Sequence, residues 1–301
     1  MRKPKSSLGD HPELTDRLVR RFGPGVRPWA AGLPELADRL ATRWALTLGE
    51  PFADGASSVA LRVTTAAGAG AVLKLSPDLP FLAEQITVLR LFGSSGRVPA
   101  VLAEDRELGA VLMAEIRPGT TVRTMAAAPE PAAYAGLLTA LHAVALPPVE
   151  VVSRDVRPTM DGFLAGARDR RTEPELAPHL READFDRATA ELDRLLAGPA
   201  PTALVHGDLH LGNVLDGGAT GLCAIDPKAC RGDPCFDAAD YVAAGAGHDG
   251  ELHRRLAGLA DAGYDPGRVL GWCRAGAPAL AVPLLRSGNV RAATELLALV
   301  R

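Results

Sequence analysis

The stretch LVHGDLHLGNVL, Leu204 to Leu215, sets apolar flanks around one Asp, one Asn, two His and two Gly. A surface loop has little reason to gather those side chains. Short apolar runs bounded by glycine read as strands, so the polar set sits in a connection between two of them. Asp208 follows His206-Gly207, Asn213 lies five residues past it, and Asp226 thirteen past that. Between the last two, NVLDGGATGLCAID turns back through Asp216-Gly217-Gly218, a hairpin signal that is expected to return Asp226 to the side of Asn213.

Phosphoryl transfer asks a protein for a carboxylate near the acceptor hydroxyl, oxygen ligands for magnesium, and a cation on the nucleotide phosphates. In protein kinases the first two come from a loop written H-R-D-x-x-x-x-N and a downstream metal-binding Asp. Here Asp208 has the place of the general base, and Asn213 and Asp226 offer hard oxygen ligands suited to Mg²⁺. His206 is read as a brace for the loop; His210 either braces it or approaches substrate. HGD in isolation is a weak signal, and its plain alternative is a capped turn between strands. Order, spacing and strand setting together point to a small-molecule kinase.

Working upstream, Lys74 supplies the cation. It lies in AVLKL on an expected strand with buried-looking neighbours, where an unpaired ammonium is costly. Glu84 in LAEQITVL, ten positions on and on the next helix, is its expected partner, against the alternative of a snorkelling surface Lys and an exposed Glu. GEPFADGASSV would cover the phosphates, with Gly55 allowing close approach and Ser57 and Ser58 binding phosphate oxygens. It is neither GxGxxG nor a Walker sequence. Helical spacing is expected over residues 11–22 and 33–44, then strands in ALTLGEP, SVALRVTT and AVLKLSP, the last two a hairpin through AAGAG. A helix over LAEQITVLRLFG and a hairpin over AVLAEDRELGAVLMAEI follow.

After the RPGTT break the chain reads as helical near 129–145, 160–171, 181–197, 249–262, 266–274 and 290–300, interrupted only by 203–226. The expected organisation is an N-terminal tail with helices (1–44), a sheet-rich nucleotide-binding lobe ending in a hinge (45–117), and a helical lobe carrying the catalytic loop and substrate site (118–301). This is an α+β, bilobal fold with a ligand cleft between the lobes. A net charge of −3 shows no basic surplus for nucleic acid, and it is compatible with a cationic substrate. Four cysteines, none in CxxC spacing, suit reduced thiols in a cytoplasmic protein, and Cys230, Cys235 and His210 are poorly spaced for zinc. MRKPKSSLGD lacks the apolar run of a signal peptide. The uncharged run Pro131–Val149 is cut by Pro147-Pro148 and reads as a buried helix, not a membrane span.

At these residues the chain resembles the aminoglycoside phosphotransferase family, a small-molecule branch of the protein-kinase-like fold. HGDLHLGNVL resembles its catalytic loop, and AIDPKACRGDPCFDAADYV resembles its metal-binding segment. Asp226-Pro227-Lys228 is closer to the streptomycin 6-kinase and hydroxyurea phosphotransferase branch than to enzymes acting at the 3′-hydroxyl. RPWAAGLPELADRLATRWAL resembles that branch's helix before the first strand, and VLMAEIRPGTTV its hinge. The resemblance covers most of residues 28–245. It implies an ATP- and Mg²⁺-dependent transferase in which Asp208 is the base and Asn213 and Asp226 hold magnesium. It also implies that Lys74 contacts the α- and β-phosphates, Glu84 orients Lys74, and Glu115 and Ile116 meet adenine. Ile116 followed directly by Arg117-Pro118-Gly119 departs from the family's hinge, as do Cys230 and Cys235 from its metal segment.

Asp233 and Asp237 have two readings: ligands for a cationic substrate, or a cap for a helix starting near Phe236 with an internal Arg partner. The second is taken. The expected acceptor is a hydroxyl on a small polar molecule, streptomycin foremost. The alternatives are a metabolic kinase of the same fold acting on choline, homoserine, fructosamine or a sugar-like compound, and a nucleotide-binding pseudokinase. The complete set Lys74, Asp208, Asn213 and Asp226 speaks against the last.

Overall fold

The computed structural model describes Leu8 and residues 12–53, 57–199 and 201–301. They divide into two compact units: the residues up to Gly93 with Val98–Arg117, and Ser94–Arg97 with Pro118–Arg301.

The first unit opens with helices α1 (Pro12–Phe22), α2 (Arg27–Ala31) and α3 (Leu33–Arg43). Strands β1 (Leu46–Pro51), β2 (Val59–Thr65) and β3 (Gly70–Leu75) follow, then α4 (Leu79–Phe92), β4 (Val101–Asp105) and β5 (Ala110–Ala114). The strands form one antiparallel sheet in the order β1-β2-β3-β5-β4. Both faces of the sheet are covered, and the two-residue period of a strand sorts side chains between them. Ala71, Leu73 and Leu75 of β3, with Ala110 and Leu112 of β5, join Leu18, Leu33 and Leu40 of α1 and α3 in one core. Helices α1–α3, set apart from the sheet in the sequence reading, thus share its main core. Val111 and Met113 of β5, with Val72 of β3 against them, pack on Leu82, Ile86 and Leu89 of α4. Burying each such side chain is worth about 1.5–3 kcal/mol. Alternation along β3 therefore assigns Lys74 to the Val72 face, which is the α4 face. Asp78 starts α4 by accepting the Phe81 N–H at 3.1 Å.

The second unit is mainly helical. Its helices are α5 (Pro131–His142), α6 (Val156–Arg170), α7 (Glu182–Ala197), α8 (Cys235–Ala243), α9 (Glu251–Asp261), α10 (Pro266–Arg286) and α11 (Val290–Ala298). α5 buries Tyr134, Leu137, Leu138 and Leu141 completely, as expected for the uncharged run it occupies. α10 extends well past the expected end at 274 although Pro278 and Pro283 lie inside it. A proline removes a helical hydrogen bond, but this helix buries Trp272, Ala275, Ala277, Ala281, Val282 and Leu285. Packing overrides local propensity here. Among the described residues, no helix is long and apolar enough to cross a membrane.

Two short ladders hold the stretch on which the sequence reading began. β6 (Ala203–Val205) pairs antiparallel with β9 (Cys230–Gly232), and β7 (Val214–Asp216) with β8 (Leu222–Ala224). β9 lies beyond the expected 203–226 interruption and is too short to show a period.

Candidate active site

The loop between β6 and β7 carries His206, Asp208 and Asn213, and four neighbours fix it. Gly207 has φ +82°, a conformation an L side chain rarely adopts, and a Cβ there would collide with the Lys228 carbonyl. The Asp237 carboxylate of α8 accepts the His206 N–H at 2.6 Å and the Gly207 N–H at 3.0 Å. His142 Nε2 meets the same carboxylate at 3.0 Å. The Tyr134 hydroxyl, from α5, donates to the Leu209 carbonyl at 2.9 Å, and Leu209 itself is buried. Burial by itself would raise the Asp237 carboxyl, but the hydrogen bonds from His142 and from the Gly207 amide hold it below its ordinary value.

The expected fold-back is present. Val214 pairs with Ala224, and the Ile225 N–H donates to the Asn213 carbonyl at 2.9 Å, so Asp226 begins where Asn213 ends the loop. His206 is fully buried and braces both sides: its Nε2 lies 3.0 Å from the Ile225 carbonyl. Burial lowers its pKa, so the ring is neutral and Nε2–H is the donor. Asp226 sits at φ +57°, in the left-handed region, which costs a non-glycine residue about 1 kcal/mol or more and persists only where surroundings impose it.

Asn213 Nδ2 donates to the Asp208 carbonyl at 2.8 Å, leaving its Oδ1 as the atom available to a cation. Among the described residues no group of three or more His, Cys, Asp or Glu side chains converges as a metal site. One carboxylate and one amide oxygen suit Mg²⁺, which completes its shell with phosphates and waters. His210 Nδ1 accepts from Gly212 N–H at 3.1 Å and lies 3.2 Å from Arg123 Nη2. Burial lowers its pKa too, and both contacts tie its ring to neighbouring backbone and side chain. One contact has no counterpart in the sequence reading: Lys228 Nζ lies 2.8 Å from Asp208 Oδ2.

In the first unit, Lys74 is buried on β3 and donates to Gln85 Oε1 of α4 at 2.9 Å. Gln85 is adjacent to the expected partner Glu84 and is not among the residues singled out from the sequence. Glu84 is half-buried on the same helix. Glu115 follows β5, and its carboxylate meets Arg117 at 2.7 Å and Arg62 at 3.6 Å. Ile116 is half-buried, and among the described residues its amide donates no hydrogen bond. Ser58 is buried; the Ser57 carbonyl accepts from Ser76 Oγ at 3.1 Å. Gly55 lies outside the described residues.

Asp233 takes the structural role expected for it. It accepts the Cys235 N–H at 2.9 Å at the start of α8, Arg268 Nη2 at 2.6 Å and Trp272 Nε1 at 2.8 Å. Asp237 is structural by a different route, holding loop amides and not an arginine. Cys230 and Cys235 are buried, and burial pushes both thiols up to about 12, which leaves them protonated and poor ligands.

A sequence profile described as "Aminoglycoside/hydroxyurea antibiotic resistance kinase" matches residues 43–288. Streptomycin 6-kinase of Streptomyces griseus is 31% identical over 236 residues, 77% of this chain and 75% of the relative. Hydroxyurea phosphotransferase of Kitasatospora aureofaciens is 32% identical over 270 residues, 86% of this chain and 75% of the relative. A spectinomycin phosphotransferase solved with ADP and spectinomycin shares the fold, with a TM-score of 0.55 at 14% identity over 88% of this chain and 96% of that one. The fold is thus the protein-kinase-like one, and the chain belongs to the aminoglycoside/hydroxyurea antibiotic resistance kinase family.

Proposed function

We propose that the protein transfers the γ-phosphoryl group of ATP to a hydroxyl of a small polar molecule, an aminoglycoside such as streptomycin foremost, in the cytoplasm. The observation that carries this is the fold-back of β7 and β8, which sets Asn213 beside the start of Asp226 while Asn213 also holds the Asp208 backbone. A carboxylate base and metal-ligand oxygens gathered by one loop and the hairpin after it are what phosphoryl transfer requires.

In the proposed mechanism Asp208 accepts the proton of the acceptor hydroxyl. The Asn213 amide oxygen and the Asp226 carboxylate hold Mg²⁺, which offsets phosphate charge when bound. Lys74, kept dry between β3 and α4, binds the α- and β-phosphates; Gln85 and Glu84 orient it. The Ile116 amide and the backbone beside Glu115 meet adenine, and Ser57 and Ser58 lie on the phosphate side. The ADP bound to the spectinomycin phosphotransferase is consistent with an adenine nucleotide here.

The streptomycin and hydroxyurea relatives, similar over three quarters or more of this chain, favour an antibiotic acceptor over a metabolic alcohol. The test is coupled ADP release over streptomycin, other aminoglycosides, hydroxyurea, choline, homoserine and sugar-like alcohols. Turnover of streptomycin is expected. Turnover confined to a metabolite would overturn the acceptor class, and no acceptor-dependent ADP release with any of them would overturn the reaction.

A further inference from the structure

Lys228 is tied to the catalytic loop at three points. Its N–H donates to the His206 carbonyl at 2.9 Å. Its own carbonyl occupies the space a Cβ on Gly207 would need. Its ammonium lies 2.8 Å from Asp208 Oδ2, and Asn213 Nδ2 approaches that same oxygen at 3.5 Å. Among the described residues, Asp208 Oδ1 accepts no hydrogen bond. The two oxygens of the carboxylate are therefore unlike: one is neutralised, the other is left to accept.

The pair is a poor candidate for a fold-stabilising bridge. The Lys228 side chain is 39% exposed and Asp208 18%, and ion pairs at such exposure contribute little to stability. Its chemistry lies elsewhere. An uncompensated carboxylate beside a triphosphate would repel it, whereas an ammonium at contact distance cancels that charge locally. Holding Oδ2 also fixes the rotation of the carboxylate, so the accepting lone pair is oriented before substrate arrives.

We propose that Lys228 is a positioning residue for phosphoryl transfer: it anchors Asp208 through Oδ2 and so makes Oδ1 the atom that receives the acceptor's proton. This rests on the reaction proposed above. In that step the acceptor oxygen forms a bond to the γ-phosphorus while the bond from phosphorus to the bridging oxygen breaks. The electron pair leaves with ADP, and the hydroxyl proton passes to Asp208 Oδ1.

The test uses the full chain with the acceptor found by the ADP-release screen, comparing the parent with Lys228→Ala and Lys228→Arg. For Lys228→Ala, kcat is expected to fall about 30-fold while the KM for ATP stays within about threefold, the mark of an interaction that acts in the chemical step. Thermal unfolding of the variant should match the parent. Added ethylammonium should restore part of the lost kcat saturably, and sodium chloride of equal ionic strength should not. Lys228→Arg should recover more activity than alanine, because it returns a cation to Oδ2. A near-normal kcat in Lys228→Ala overturns the assignment. So does a loss that no amine restores, or one carried by the KM for ATP. A parent that releases no ADP with any acceptor overturns the proposed reaction itself, a result distinct from all of these.

Discussion

Asp237 Oδ2 accepts the backbone N–H of His206 at 2.6 Å, joining α8 to the loop between β6 and β7 across 31 positions of sequence. Its other oxygen takes the Gly207 N–H, and the side chain is fully buried. Hydrogen bonds to an ionised group are worth about 1.5–3 kcal/mol each, and a buried amide left unpaired costs a similar amount. Asp237→Ala is therefore expected to destabilise the protein by about 3 kcal/mol or more and to remove activity without touching substrate. Urea unfolding checks this; a loss under about 0.5 kcal/mol would show that the loop holds itself.

Asp240, one turn further along α8, behaves in the opposite sense. Its carboxylate makes no hydrogen bond or ion pair among the described residues, and burial, with the charges of Asp208 and Asp237, pushes it from 3.8 up to about 7. The unfolded chain gives up this proton near its ordinary value and the folded chain holds it to about 7, so between these values the native state binds more protons and stability falls as pH rises. Asp240→Asn should match the parent near pH 4, gain on it progressively toward pH 7, and hold a constant advantage above. Melting curves of both across pH 4–8 are the measurement. An asparagine variant less stable than the parent at pH 8 would contradict the sign.

Lys74 allows fold and function to be read separately. Its side chain lies on the α4 face beside Val72 and donates to Gln85, so a methionine there can pack its apolar chain but leaves the Gln85 oxygen without this donor, at about 1–3 kcal/mol. Lys74→Met is therefore expected to stay folded with a melting temperature a few degrees below the parent's, while the KM for ATP rises at least about tenfold. An unchanged KM would remove Lys74 from the nucleotide site.

Magnesium dependence is tested at Asp226. Chelation should abolish transfer and added Mg²⁺ restore it. Asp226→Ala should lose the Mg²⁺-dependent part of nucleotide affinity, measured by calorimetry with and without metal. Equal affinities under both conditions in parent and variant would mean that neither Asp226 nor Asn213 is a ligand.

Much of this was legible in the sequence because the signals were local. Strand periodicity marked β2, β3 and β5, and the same alternation that buries Leu73 and Leu75 on one face turns Lys74 to the other. The turn at Asp216-Gly217-Gly218 gave the fold-back that sets Ile225 against Asn213. What was not legible depends on contacts distant in sequence or on residues without a distinctive pattern. Nothing in the order of residues indicates that Tyr134 reaches the Leu209 carbonyl or that His142 meets Asp237. Gln85 carries no charge to draw the eye. β9 is three residues long, and the extent of α10 is decided by burial around Trp272 and Val282 against two prolines that argue for an earlier stop. Lys228 stands within the segment that resembles the family's metal-binding one, but no pattern in the sequence marks its ion pair with Asp208.

The most direct measurement is a paired one on Asp208→Ala: steady-state phosphoryl transfer to the identified acceptor, and ATP binding by calorimetry on the same preparation. Loss of a general base should lower kcat by about 10²–10⁴-fold, with ATP affinity within a few-fold of the parent because the Asn213 bond to residue 208 is to its backbone carbonyl. Turnover equal to the parent's would mean that Asp208 takes no proton and that another group in the loop does the chemistry.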